Sequence, residues 1–300
     1  LVSKGSLVRR GWMRVCAAVL SLAALDATLY AASALEARKQ PMTFSWNAQI
    51  AESCQPACKG WIAAVGLVTA DTVRLFEEFV AAHEVDGATV VLDSGGGSVL
   101  DAIRLGRRFR ELKMSTAVGT AVDLAPTVMS RRVGVMPDAY CESMCVFLLL
   151  AGVNRYIPPN AHIRVHQIWM GDRAENARAA SYTADDVSII ERDLGRLAKY
   201  TFEMGGTGDL LELALSVPPW QPLRELTTDE LRLSNLVSVP ALADILPGVE
   251  IVPFEALPSE ATPVASVDKP VQERFVGAEQ RTAEARPVAS APATAAPEHR

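Results

Sequence analysis

Three short runs hold residue types that could do acyl-transfer chemistry together: Ser94-Gly95-Gly96-Gly97, Glu142-Ser143-Met144-Cys145, and His166 near the end of a strand-like run. Serine attacks an acyl carbon only when a base takes its proton and N–H donors receive the oxyanion. Here the glycines follow the apolar run Ala88 to Asp93 and precede a helical pattern, so their N–H groups point where an anion is welcome. Ser143 opens a second apolar helix, and the N–H of Met144 would face the same oxyanion with the positive end of the helix dipole behind it. The chain between Ser143 and His166 suffices for one helix down and one or two strands back, which returns it to the same sheet edge.

Each residue also has a plainer reading. Glycines between a strand and a helix often serve only the turn. The run is not G-x-G-x-x-G and lacks a Walker lysine, which argues against nucleotide phosphate. Ser143 reads equally as a helix N-cap, and His166 as a core histidine in an apolar strand.

The elements that must position these residues follow from hydrophobic periodicity. Ile62 to Thr69 reads as a strand, Thr72 to His83 as a helix, Ala88 to Asp93 as a strand, Val99 to Leu112 as a helix and Ser115 to Gly119 as a strand. That succession predicts parallel strands joined by crossover helices, an α/β fold with its site at the carboxyl ends of strands. Residues 120–140 are expected to be irregular, a rim or lid over the site. A buried helix from Ser143 to Ala151, strands at Asn154 to Ile157 and Ile163 to Ile168, and a long amphipathic helix capped by Thr183 or Asp185 and ended by Gly205-Gly206 follow.

The order of motifs resembles the proteolytic subunit of the Clp protease and its relatives in the ClpP/crotonase superfamily. That family carries S-P-G-G at the oxyanion loop, A-S-M-G at the nucleophile and P-N-S-R-V-M-I-H-Q at the base. This chain has Ser94-Gly95-Gly96-Gly97, Glu142-Ser143-Met144-Cys145 and Pro159-Asn160-Ala161-His162-Ile163-Arg164-Val165-His166-Gln167. The long helix resembles the family's handle helix, and the likeness runs from about Gly60 to Val239. It implies a ClpP/crotonase-like β-α-β spiral, with Ser143 as nucleophile, His166 as general base and the Gly97 and Met144 amides as oxyanion hole. Gly95 and Gly96 would complete the oxyanion loop. The chain is also similar to exported members with a C-x-S-x-C nucleophile motif.

Three departures stand out. Gly95 replaces the loop proline, and the stretch between glycines and serine is longer than in the family. The family's third triad member would fall within Trp220 to Leu223, where there is no carboxylate. His166 then acts in a dyad, or Glu225, Asp172 or Asp209 substitutes, or the site is idle. A Ser-Lys pair, as in related signal peptide peptidases, would have to use Lys199. A crotonase-type acyl-CoA enzyme is disfavoured, because an exported protein rarely meets CoA and the Ser-His pair would go unused.

Export is read from the start of the chain, where Lys4, Arg9, Arg10 and Arg14 precede an apolar run and Ala32-Ser33-Ala34 offers a small-x-small cleavage pattern. Residues 1–34 are therefore a signal peptide or, alternatively, an N-terminal anchor, and the expected localisation is periplasmic. Asp26 argues against the anchor, because an acid at a helix centre costs about 2.5–3.5 kcal/mol in a bilayer. With Cys16 in the signal, Cys54, Cys58, Cys141 and Cys145 remain, and an even number in an exported chain points to disulfides with three pairings open. The spacing fits structural zinc poorly, so neither metal nor other cofactor is expected.

Residues 43–253 are read as one domain, and residues 258–300, rich in Pro and Ala, as a disordered tail. A net charge of -6 without a basic stripe excludes nucleic acid as the expected partner. A peptide or protein is the expected substrate, a homo-oligomer is left open, and membrane contact is expected only if the leader is retained. The rival reading is an idle relative that binds peptides or assembles with envelope partners.

Overall fold

The computed structural model describes residue 34 and residues 36–48, 60–124, 132–170 and 181–253. Within them the protein is mixed α/β with a mostly parallel sheet. Strands β1 (Thr43–Asn47), β2 (Trp61–Val65), β3 (Thr89–Asp93), β4 (Ser115–Val118) and β8 (Arg155–Tyr156) form a five-stranded sheet in the order β1-β2-β3-β4-β8. Only β1 runs antiparallel to its neighbour. Helix α1 (Thr72–Ala82) joins β2 to β3, and α2 (Val99–Glu111) joins β3 to β4, the crossovers that parallel strands require. All five residues of β3 are buried, and its unbroken Thr-Val-Val-Leu-Asp run is that of a strand covered on both faces.

A second sheet of three strands carries the order β10-β9-β7, from β7 (Tyr140–Glu142), β9 (His162–Val165) and β10 (Arg224–Glu225). β7 and β9 are parallel, with Glu142 opposite Arg164, while β10 runs antiparallel to β9. A bridge between Ser94 and Cys141 joins this sheet to the end of β3. The glycine loop and the Ser143 turn therefore meet at one strand edge.

The stretch expected to be irregular differs from that expectation where it is described. Thr120–Asp123 and Val133–Met136 form an antiparallel pair, β5 and β6, with Thr120 opposite Met136. Each strand has only four residues, too few for alternation to show against the Pro and Arg residues around them. Residues 125–131 lie outside the described residues.

Helix α3 (Met144–Leu150) is buried along its whole length and descends behind β7. The long helix α4 (Ala184–Glu203) starts on a capping box between Thr183 and Asp186. It packs on α2 at Gly106, where a Cβ would stand 1.8 Å from the Tyr200 hydroxyl. That hydroxyl, fully buried, donates to the Phe147 carbonyl at 2.9 Å and so fixes α4 to α3. Arg110 closes the helix ends, donating to the carbonyls of Leu150, Ala151, Gly152 and Met204 at 2.7–3.3 Å. A guanidinium suits both the unpaired carbonyls and the negative end of the helix dipole. Helices α5 (Gly208–Leu215) and α6 (Thr228–Leu233) follow.

Candidate active site

Ser143 sits in the turn from β7 into α3 with φ +54° and ψ −121°, a left-handed backbone rare outside glycine. Its side chain makes no capping hydrogen bond to the helix, so capping does not account for it. The turn is held from three sides. The Ser143 N–H donates to the Arg164 carbonyl at 2.8 Å. Cys141 and Cys145 form a disulfide that spans the serine, with both cysteines fully buried. Gly96, at φ +94°, lies so close that a Cβ would stand 2.7 Å from both the Glu142 carbonyl and the Ser143 Cβ, and 2.9 Å from the Met144 nitrogen.

The glycine loop is itself tied down. Ser94 is buried, and its Oγ accepts from the Gly96 N–H at 3.1 Å, so that amide is engaged. Val68 donates to the Gly96 carbonyl at 2.7 Å and accepts from the Ser98 N–H at 2.8 Å. In this parallel bridge to Gly97 the Gly97 N–H faces away from Val68. Gly97 has φ +127°, and a Cβ there would meet the Val68 oxygen at 2.1 Å. Met144, as the first residue of α3, has no intrahelical acceptor for its own N–H.

His166 lies just past β9, whose parallel pairing with β7 makes both strands exit at the same end. Ser143 and His166 are thus brought to one edge, although no hydrogen bond joins them. His166 Nδ1 is 2.7 Å from the Gln167 carbonyl oxygen. A carbonyl only accepts, so the ring donates there and Nε2 is left as the basic nitrogen. The ring packs edge-on to Trp169, with centroids 5.6 Å apart. Burial holds the imidazole pKa below its ordinary value, partly offset by the Gln167 hydrogen bond and by the Glu142 charge.

The acids proposed to complete a triad fare unequally. Glu225 is occupied by His162 at 2.8 Å and by Arg164 at 3.2 Å. Asp209 lies in the first turn of α5 and has no bond to His166. Asp172 lies outside the described residues, as do Cys54, Cys58, the N-terminal segment 1–33 and the tail. Lys199 is exposed and forms an ion pair with Glu203 at 3.7 Å, one turn away on α4, so no Ser-Lys pair forms. Among the described residues no cluster of metal-ligating side chains occurs, and no helix is long and apolar enough to cross a membrane.

Sequence reasoning overlooked two groups. Glu142, noted only as the neighbour of Ser143, is the carboxylate whose charge acts on His166, and it is held by Arg164 at 3.2 Å. The other is the Gln167 carbonyl. The parallel placement of the two motifs was the available signal for Glu142; nothing in residue types marks a backbone carbonyl.

The fold and site define a mixed α/β protein with a strained serine and a partly buried histidine at one strand edge. No known protein-family model matches the chain, and no curated protein matches it.

Proposed function

We propose that this protein is a serine hydrolase of the peptidase type, with a ClpP/crotonase-like spiral fold and an exported location. The observation that carries the reading is Ser143 in a left-handed strand-to-helix turn, without a capping role, with the glycine loop packed against it. Such backbone strain costs of order 1–3 kcal/mol and is kept where the surroundings over-determine it. Export is supported by the basic-then-apolar start of the chain and by a disulfide at the site.

In this mechanism His166 Nε2 takes the proton from Ser143 Oγ as the oxygen attacks the acyl carbon. The oxyanion is received by the N–H groups of Gly97 and Met144. Collapse of the tetrahedral intermediate expels the leaving group, which takes the proton back from Nε2, and water hydrolyses the acyl-enzyme by the same steps. Closure of the Ser143–His166 hydrogen bond belongs to the substrate complex, where catalytic contacts tighten.

A second reading, an idle peptide-binding relative, is favoured by the missing Ser143–His166 hydrogen bond. Labelling with a fluorophosphonate probe separates the two. Wild-type protein is expected to label at Ser143, and Ser143→Ala to abolish labelling at a stability cost of no more than about 1 kcal/mol. A folded wild type that stays unlabelled from mildly acidic to mildly alkaline pH would overturn the hydrolase reading.

A further inference from the structure

In a serine triad one aspartate does two things: it fixes the imidazole tautomer, and it balances the imidazolium that forms during the reaction. At His166 the position where that aspartate would bind is taken, because Nδ1 is 2.7 Å from the Gln167 carbonyl. A neutral carbonyl can hold the tautomer but brings no full charge. The charge must come from elsewhere.

The register of the second sheet says where. Side chains alternate along a strand, so His162 and Arg164 on β9 share a face, and His166 is the first residue past the strand end, where the Glu142 charge acts on its ring. Glu142 on β7 stands opposite Arg164 in the parallel pairing and bonds to it at 3.2 Å, which puts the carboxylate on the same face. It is partly buried, as is His166, so its field is screened less than that of a surface acid.

We propose that the tasks of a triad acid are divided in this protein: the Gln167 carbonyl fixes the tautomer of His166, and Glu142, as a positioning residue, supplies the charge that stabilises its imidazolium. This deepens the hydrolase reading and rests on it for its catalytic meaning. The charged and titratable groups clustered around Glu142 and Arg164 are His162 on β9, Glu225 on β10, Asp138, which pairs with His162 at 3.6 Å, Tyr140 on β7, and Arg38, whose guanidinium lies 4.1 Å over the Tyr140 ring. Arg164 is in direct contact with Glu142. Shared with Glu225 at 3.2 Å, it orients Glu142 and subtracts from its field, so removing Arg164 and removing Glu142 must act on His166 in opposite directions.

The test is the titration of the His166 ring in the full chain, followed by its imidazole nitrogen resonances and assigned against His166→Gln. The neutral ring is expected as the Nδ1–H tautomer. Glu142→Gln is expected to lower the titration midpoint by about 0.5 pH unit or more, Glu142→Asp to preserve it, and Arg164→Met to raise it. An Nε2–H tautomer would overturn the proposal, as would midpoints that stay put or move the same way in Glu142→Gln and Arg164→Met. Arg164→Met decides alone if Glu142→Gln does not fold. Fluorophosphonate labelling of Ser143 against pH should follow the same midpoints. Expected ring shifts with an unlabelled Ser143 would leave the divided support intact and sink the hydrolase reading.

Discussion

Asp93 shows how a single buried charge organises the approach to this site. It is 1 % exposed, at the last position of β3 before the glycine loop. Burial pushes its carboxyl pKa up, and three groups pull the other way: Arg38 at 3.4 Å, the Thr120 hydroxyl at 2.6 Å and the Tyr140 N–H at 3.3 Å. Those partners lie on different elements, so Asp93 joins the ends of β3, β5 and β7. Asp93→Ala would leave a largely buried guanidinium, a hydroxyl and an N–H without acceptors, and should cost about 3–5 kcal/mol in urea unfolding. Asp93→Asn should cost clearly less, because it keeps an acceptor. His166 gives the pH dependence. Its folded pKa lies below the ordinary 6.5, so the unfolded chain binds the proton more readily. The stability it contributes is whole above 6.5 and is lost as pH falls through the lower folded value. Wild-type stability should therefore fall more steeply on acidification than that of His166→Gln, and equal slopes would contradict a ring held neutral by partial burial.

At the scale of elements, the decisive junction is the glycine loop against the turn into α3. The atoms nearest to a Cβ at Gly96 would be the Glu142 oxygen, the Ser143 Cβ and the Met144 nitrogen, none of which can swing away, and the φ of +94° adds strain. Gly96→Ala should destabilise by about 1–3 kcal/mol. On the hydrolase reading, displacing the Gly97 and Met144 N–H groups should also slow labelling of Ser143 about 100-fold or more, the effect of losing an oxyanion donor. Gly95→Ala is the control, since its nearest neighbour is the movable Leu67 Cδ2 at 3.1 Å. Stability should stay close to wild type there. The two glycines are indistinguishable as letters, and the difference between them is set by what the loop packs on.

Across the whole molecule, the last described segment covers the sheet face opposite the helices. Leu242 and Leu246 pack with Trp61, Val91 and Ala117, forming a cluster separate from the main core under α1–α4. The chain then returns to β6: the Val135 N–H donates to the Glu250 carbonyl at 2.8 Å, and the Val252 N–H to the Val135 carbonyl at 3.0 Å. Val252 is buried and Arg132 pairs with Glu250 at 2.6 Å. A chain ended after Gly248 keeps Leu242 and Leu246 but loses the contacts of residues 250–252, and its unfolding free energy should drop by about 2–4 kcal/mol. A chain ended after Pro253 keeps them and should melt close to the full-length protein. Equal melting of the two would show that β6 does not depend on this return.

Periodicity and local backbone chemistry made much of this protein legible beforehand. The β-α-β-α-β succession, the buried helix after Ser143 and the Thr183 start of the long helix are written in neighbouring residues, because caps and amphipathic spacing act within a turn or two of chain. The residue types of the site could also be read, from a serine at a helix start and glycines after a strand. What only the tertiary structure decided are the relations between distant segments. It paired Cys141 with Cys145, gave Glu225 to His162 and Arg164 instead of His166, put Lys199 in a surface ion pair, and brought Glu142 opposite Arg164. It also set the 250–252 segment on β6. A charge or carbonyl acts through space, and strand register and packing decide which distant residue it reaches.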